Sequence, residues 1–174
     1  MEETYDQFVE EFNINLKKRV EEKEFSHLIF LCIGTDRITG DAFGPLVGNK
    51  LIDIYGDRDN IHIIGSLENP VVASNIDRVM IYIKESFESP FIIAIDSAVS
   101  NRNSIGKIIV SNDGINLGSG LDKKSLKVGD IGIKGIVSKN LGNPKYNFIL
   151  LQNTSLNLIM NMVNMTVRGI HDVL

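Results

Sequence analysis

The chain has 174 residues, 43% hydrophobic and 23% charged, with a formal net charge of −4. That length builds one domain with a sizeable core, and the acidic balance gives no global pull toward nucleic acid or an anionic membrane. The single cysteine, Cys32, excludes an intrachain disulfide or a cysteine metal cluster and suits a reducing compartment.

The opening Met1-Glu2-Glu3-Thr4-Tyr5-Asp6 lacks the basic start and apolar stretch of a signal peptide. No apolar run approaches the ~20 residues of a membrane span, so no membrane contact is expected and cytoplasm is the expected location. Over residues 5–24, Phe8, Val9, Phe12, Leu16 and Val20 recur at spacings that predict an amphipathic helix. His27 to Gly34 reads as the first strand, apolar on both faces as a central parallel strand is. A helix is predicted from about Asp41 to Tyr55, carrying Phe43, Leu46, Val47, Leu51 and Ile54 and closed by Gly56. Ile61 to Leu67 reads as the second strand. Asn69-Pro70 then predicts an N-cap and first-turn proline for a helix over 70–87. Ser89-Pro90 announces a third strand, Phe91 to Ile95, ending in Asp96. This alternation predicts an α/β fold with a mostly parallel central sheet covered by helices.

Residues 101–145 change character. They hold Gly106, Gly114, Gly118, Gly120, Gly129, Gly132, Gly135 and Gly142, with short β-type runs at Lys107–Ser111 and Ile131–Ser138. The pattern reads as strands with long connections and a hairpin edge, and such loops are usually functional or mobile. Tyr146 to Leu151 reads as a returning core strand. Asn153 or Thr154 is the expected cap of a final helix with Leu156, Ile159, Met160, Val163 and Val167 on its apolar face. No repeat or linker divides the chain, so residues 1–174 read as a single α/β domain, with 1–25 an N-terminal helix and 26–174 the core.

Two aspartates stand just past apolar runs. In an open α/β sheet, ligands bind outside the carboxyl ends of strands where the strand order reverses, so Asp41 and Asp96 are expected to face one crevice. Paired carboxylates suit acid/base work on water, because close like charges share a proton. Asp41 has a second reading as a helix N-cap, supported by Pro45 in the first turn. Asp96 has a second reading as a turn residue bonded by the Ser97–Ser100 loop. The glycine-rich turn with Gly34, Gly40 and Gly44 lacks G-x-G-x-x-G, and its Asp36 and Asp41 would repel a pyrophosphate. His27, His62 and His171 lie far from both aspartates and form no metal motif, although two carboxylates alone can hold Mg²⁺. No G-x-S-x-G elbow is present, and Cys32 reads as core. Asp36, Ser97, Asn153 and Thr154 are candidate substrate contacts, the last two equally suited to capping. Lys134 and Lys139 read as solvated lysines able to steer a substrate.

The segment Ile33-Gly34-Thr35-Asp36-Arg37-Ile38-Thr39-Gly40-Asp41-Ala42-Phe43-Gly44-Pro45-Leu46-Val47-Gly48 resembles the opening motif of the YyaC family of sporulation proteins, relatives of the bacterial germination protease. The resemblance continues through Ile95-Asp96-Ser97, Val128-Gly129-Asp130, Gly135-Ile136-Val137 and Leu150-Leu151-Gln152-Asn153-Thr154-Ser155-Leu156. It implies a three-layer α/β/α sandwich of the phosphorylase/hydrolase type, shared with hydrogenase-maturation endopeptidases. It further implies an aspartic peptidase whose catalytic pair falls on Asp41 and Asp96, with no cofactor. The implied partner is a protein or peptide substrate, small acid-soluble spore proteins among them, in the cytoplasm of a sporulating cell or forespore. In the hydrogenase-maturation relatives the matching acids bind nickel with a histidine. No histidine lies between His62 and His171 here, which disfavours nickel. The rival reading is a non-catalytic sporulation factor that keeps the fold and binds a protein partner; an exposed apolar patch on the first or last helix would point to a homo-oligomer.

Overall fold

In the computed structural model, which describes residues 2–117 and 126–174, the apolar runs become strands β1 (His27–Cys32), β2 (Ile61–Ile64), β3 (Pro90–Ser100), β4 (Ile108–Ser111), β5 (Ile115–Leu117), β6 (Leu126–Val128) and β7 (Ile131–Lys139). The helices are α1 (Glu2–Glu22), α2 (Phe43–Tyr55), α3 (Ile76–Ser86), α4 (Pro144–Gln152) and α5 (Leu156–Val173). Gly118 and Gly120 of the glycine-rich region lie outside the described residues.

The main sheet has the order β2-β1-β3-β7-β4, parallel except for β4, which runs antiparallel to β7 along one edge. β5 and β6 form a separate antiparallel ribbon. Alternation along the central strands sends Phe30, Cys32, Ile93 and Ile95 to one face, against Phe8 and Phe12 of α1, Val47 and Leu51 of α2, and Val163 and Ile170 of α5. Ile29, Leu31, Ile92 and Ala94 face the other way, against Ile76 and Ile83 of α3 and Ile115 and Val128 of the ribbon. The three layers are therefore present, but one outer layer is part helix and part β-ribbon.

Several element boundaries differ from the sequence reading. The helix expected over 70–87 starts at Ile76, because Val71 is drawn to the end of β1: it bridges Ile33, and its carbonyl accepts from Gly34 N at 2.8 Å. Pro70 therefore lies in an extended segment, not in a first helical turn. β3 continues to Ser100, so Asp96 is inside the strand and not after it. Tyr146–Leu151 is not a strand. Asn143 accepts from the backbone N–H of Lys145 and Tyr146 and Pro144 takes the first helical position, so the segment is helix α4. Phe148 and Ile149 stay exposed, which a core strand would not allow. Asn153 and Thr154 do not start the last helix. Their side chains donate back to the carbonyls of Ile149 (2.8 Å) and Leu150 (3.1 Å), closing α4, while Ser155 caps α5.

Candidate functional site

From β1 the chain crosses to β2 on one side, then returns to β3 on the other side of β1. The strand order thus reverses between β1 and β3, and the crevice expected at such a reversal opens above their carboxyl ends. Two glycines bend the chain back over this crevice. Gly34 holds φ +137, a backbone region closed to most side chains, and a Cβ there would lie 2.1 Å from the Asp41 carbonyl oxygen. At Gly44 a Cβ would lie 2.1 Å from the Ile33 carbonyl oxygen, so the first turn of α2 rests directly on the end of β1. Thr35 N donates to the Asp41 carbonyl at 3.0 Å and fixes the return.

This places Asp41 in a short 3₁₀ turn, Thr39–Ala42, ahead of α2, and its carboxylate caps neither the turn nor the helix. The cap reading is replaced by another contact: Ser97 Oγ donates to Asp41 Oδ1 at 3.3 Å. Ser97 N donates to Asp96 Oδ1 at 2.8 Å. One serine therefore links both carboxyl groups. Asp96 shares the face of Ala94, and across the β3–β7 ladder it is in register with Lys134.

Both carboxyl groups are pushed toward their protonated forms. Burial raises Asp41 above its ordinary 3.8, opposed by the Ser97 hydroxyl. Asp96 is pushed up to about 8, first by burial and then by the charge of Asp41, with Ser97 N and Lys134 pulling the other way. Asp96 is half-buried as a residue and lines a cavity, so the rise comes from the protein packed around a carboxyl group at a cavity wall.

Asp41, Asp96, Ser97 and Lys134 line one cavity of about 390 Å³, walled by Ile115 and Leu117 of the ribbon on one side and Leu151 of α4 on another. A larger cavity of about 790 Å³ lies beside β2 and α3, but Glu68 is its one carboxylate and it holds no acid pair. The smaller cavity is where the two carboxyl groups converge.

The other expected residues are placed as follows. Ser97 is in the cavity. Asp36 is exposed on the turn, and neither it nor Asn153 or Thr154 lines the cavity. Lys134, read from sequence as a solvated lysine, joins the site, whereas Lys139 is exposed. Asp130 lies at the opposite end of the sheet, accepting from Ile92 N at 2.8 Å and from Lys23 Nζ at 2.9 Å. His27 and His62 sit 3.0 Å apart near the start of β1, and His171 pairs with the Tyr55 hydroxyl. Burial pushes the Cys32 thiol well up and leaves it an inert part of the core. Among the described residues no group of three or more His, Cys, Asp or Glu is placed to hold a metal ion, and no helix is long and apolar enough to cross a membrane.

A family model described as "Protein of unknown function (DUF1256)" matches residues 1–169. The chain belongs to the DUF1256 family. It is 39% identical over 143 residues to the "Uncharacterized protein YyaC" of Bacillus subtilis (strain 168), an overlap of 82% of this chain and 67% of the relative. Its backbone is similar to that of the NiFe hydrogenase maturation protease HycI from Thermococcus kodakarensis KOD1, with a TM-score of 0.55 over 91% of this chain and 97% of that one. At 16% identity, this likeness establishes the fold of this chain alone: an α/β architecture with a mostly parallel central sheet.

Proposed function

We propose that this protein is a peptidase of the germination-protease type, hydrolysing a protein substrate of the sporulating cell with Asp41, Asp96 and one water. The observation that carries the reading is the convergence of two carboxyl groups, linked through Ser97, on one cavity at the strand-order reversal. The sporulation setting rests on the motif resemblance, with the YyaC relative in support.

In this reading the pair shares one proton. Asp96, raised to about 8 by burial and by the charge of Asp41, is the member that holds it at neutral pH, and Asp41 acts as the carboxylate. Asp41 takes a proton from water as the water oxygen bonds to the scissile carbonyl carbon. Asp96 gives its proton to the carbonyl oxygen, so no free oxyanion forms. The tetrahedral species then breaks its C–N bond. The proton held on Asp41 passes to the departing amine, and a hydroxyl proton returns to Asp96 as the carbonyl re-forms. The products are an acid and an amine, and both aspartates end as they began.

The test incubates the purified protein with small acid-soluble spore proteins and with unfolded β-casein, reading new termini by mass spectrometry. Asp41→Asn and Asp96→Asn are each expected to slow cleavage by about 100-fold or more, the usual worth of a general acid or base. Cleavage at the wild-type rate by both variants defeats the proposal. Cleavage abolished by EDTA and restored by a divalent metal would transfer the reaction to a metal-dependent hydrolase.

A further inference from the structure

β3 is longer than the strand beside it. β1 pairs with β3 from His27↔Pro90 to Cys32↔Ile95, and its last bond is Ile33 N donating to the Ile95 carbonyl at 2.7 Å. The chain then turns away, since Gly34 N donates to Val71, on the far side of β1 from β3. β3 nevertheless runs on from Asp96 to Ser100, held on its other side by β7 through Ser100↔Lys139. A bulge opposite Ala98 and Val99 places the extra residue, Val137, on β7, and beyond it the Ser100 carbonyl still accepts from Asn140 N at 2.6 Å, so the alternation along β3 is kept. Among the described residues, no backbone group pairs with this extension from the β1 side.

Backbone direction alternates along a strand. Ile95 points its carbonyl at β1, so Ser97 and Val99 point the same way, into the lane beyond the end of β1. Ser97 N is occupied by Asp96 Oδ1, which leaves the Ser97 carbonyl and the Val99 N–H and carbonyl. The Ser97 carbonyl and Val99 N–H stand two residues apart, the spacing that one residue of an added strand meets with its own N–H and C=O. Ser97, Ala98 and Val99 all line the cavity that holds Asp41 and Asp96. Side chains of both strand faces are thus present, as expected of a space running along an edge.

We infer that an extended segment of the protein substrate binds as an added strand in this lane, continuing the line of β1 along residues 97–99 of β3. The inference deepens the peptidase reading and rests on it for the identity of the occupant. A folded loop or helix would not satisfy the edge, whereas an extended peptide does so with its main chain alone. Its alternate side chains fall toward Leu117 on the ribbon side and toward Leu151 of α4 on the other. The peptide bond next to the paired residue is carried to the carboxyl groups. Affinity comes from backbone hydrogen bonds, and selectivity from the two apolar walls.

The probe is a displayed random dodecapeptide library selected on Asp96→Asn, a variant intended to keep the cavity while suppressing cleavage. Selected peptides are remade with a single backbone N-methyl group at each position in turn. N-methylation at alternate positions is expected to weaken binding roughly tenfold, the worth of one good hydrogen bond, with the intervening positions tolerant. Exchange of the Val99 amide, read by NMR, should slow in the complex. The inference is overturned by tolerance of N-methylation everywhere, by protection at β2 in place of β3, or by a selection that returns no binding peptide. Peptides that bind along β3 but are not cut by the wild-type protein sink the hydrolytic reading and leave this one standing. Cleavage with Val99 unprotected sinks this one alone.

Discussion

Burial and the charge of Asp41 act on Asp96 in the same direction, and the consequence is measurable both in rate and in stability. The raised value, about 8, means that the folded protein holds a proton that the unfolded chain, with its ordinary 3.8, has already released. Below pH 3.8 both states are protonated and Asp96 contributes no difference. As pH rises from there to about 8 the unfolded state alone gains by ionising, so the folded state loses stability across that window, on the order of a few kcal/mol in total. Asp96→Asn removes the ionisation. Urea unfolding of the variant should show a shallower fall in stability between those limits, since Asp41 still titrates there, and a gain over wild type at pH 8. A variant no more stable at pH 8 than the native protein would mean that the carboxyl group is well solvated. The rate of peptide cleavage should fall on the alkaline side with an apparent pKa near 8, as Asp96 deprotonates, and on the acid side as Asp41 becomes protonated. Because the two groups are linked through Ser97, these limits belong to the pair.

Both aspartates were readable from the sequence because a carboxylate beside an apolar strand is an unusual neighbour, whatever the exact strand end. Lys134 was not, since it reaches the site only through the β3–β7 register, and no local pattern reports which strand lies beside which. The α4 segment failed for a different reason. Phe148-Ile149-Leu150-Leu151 is a continuous apolar run, which periodicity cannot assign, and the deciding signal was the Asn143-Pro144 start just ahead of it. That start makes a prediction at the scale of the element. Asn143 Oδ1 accepts from Lys145 N at 3.0 Å and Tyr146 N at 3.4 Å. Asn143→Ala should therefore cost about 1 kcal/mol, as lost caps do, with faster amide exchange confined to α4. Leu151, on the last turn of α4, lines the cavity and packs on Gly40 of the aspartate turn. The same variant should weaken substrate binding more than it slows turnover, raising KM with little change in kcat. An unchanged KM would show that α4 is not a wall of the peptide channel.

The order of the sheet follows from alternating strands and helices, and that much was legible; which helix covers which face was not, because α1 and α5 are more than a hundred residues apart in the chain. Read from sequence, residues 1–25 look like a helix attached to a core beginning at residue 26. The packing joins them. Phe8 and Phe12 are fully buried, their rings stacked with centroids 5.9 Å apart, in the same cluster as Phe91 of β3 and Val163 and Ile170 of α5. Beyond α1, Lys23 Nζ donates to the Pro90 carbonyl at 2.7 Å and to Asp130, tying the chain to the start of β3. A buried Phe→Ala change costs ~3–5 kcal/mol, against a total stability of ~5–15 kcal/mol for a domain. Phe8→Ala should accordingly lower the urea midpoint of the whole protein, and Phe8→Ala with Phe12→Ala should leave much of it unfolded without denaturant. The two costs will not simply add, since each ring is part of the other's surroundings. Helical signal and the burial of sheet residues must be lost in one transition, the first read by circular dichroism and the second by amide exchange of Ile93 and Ile95. If the double variant instead loses helix signal while those strand amides stay protected, α1 is an appendage, and the sheet is sealed by α2 and α5 without it.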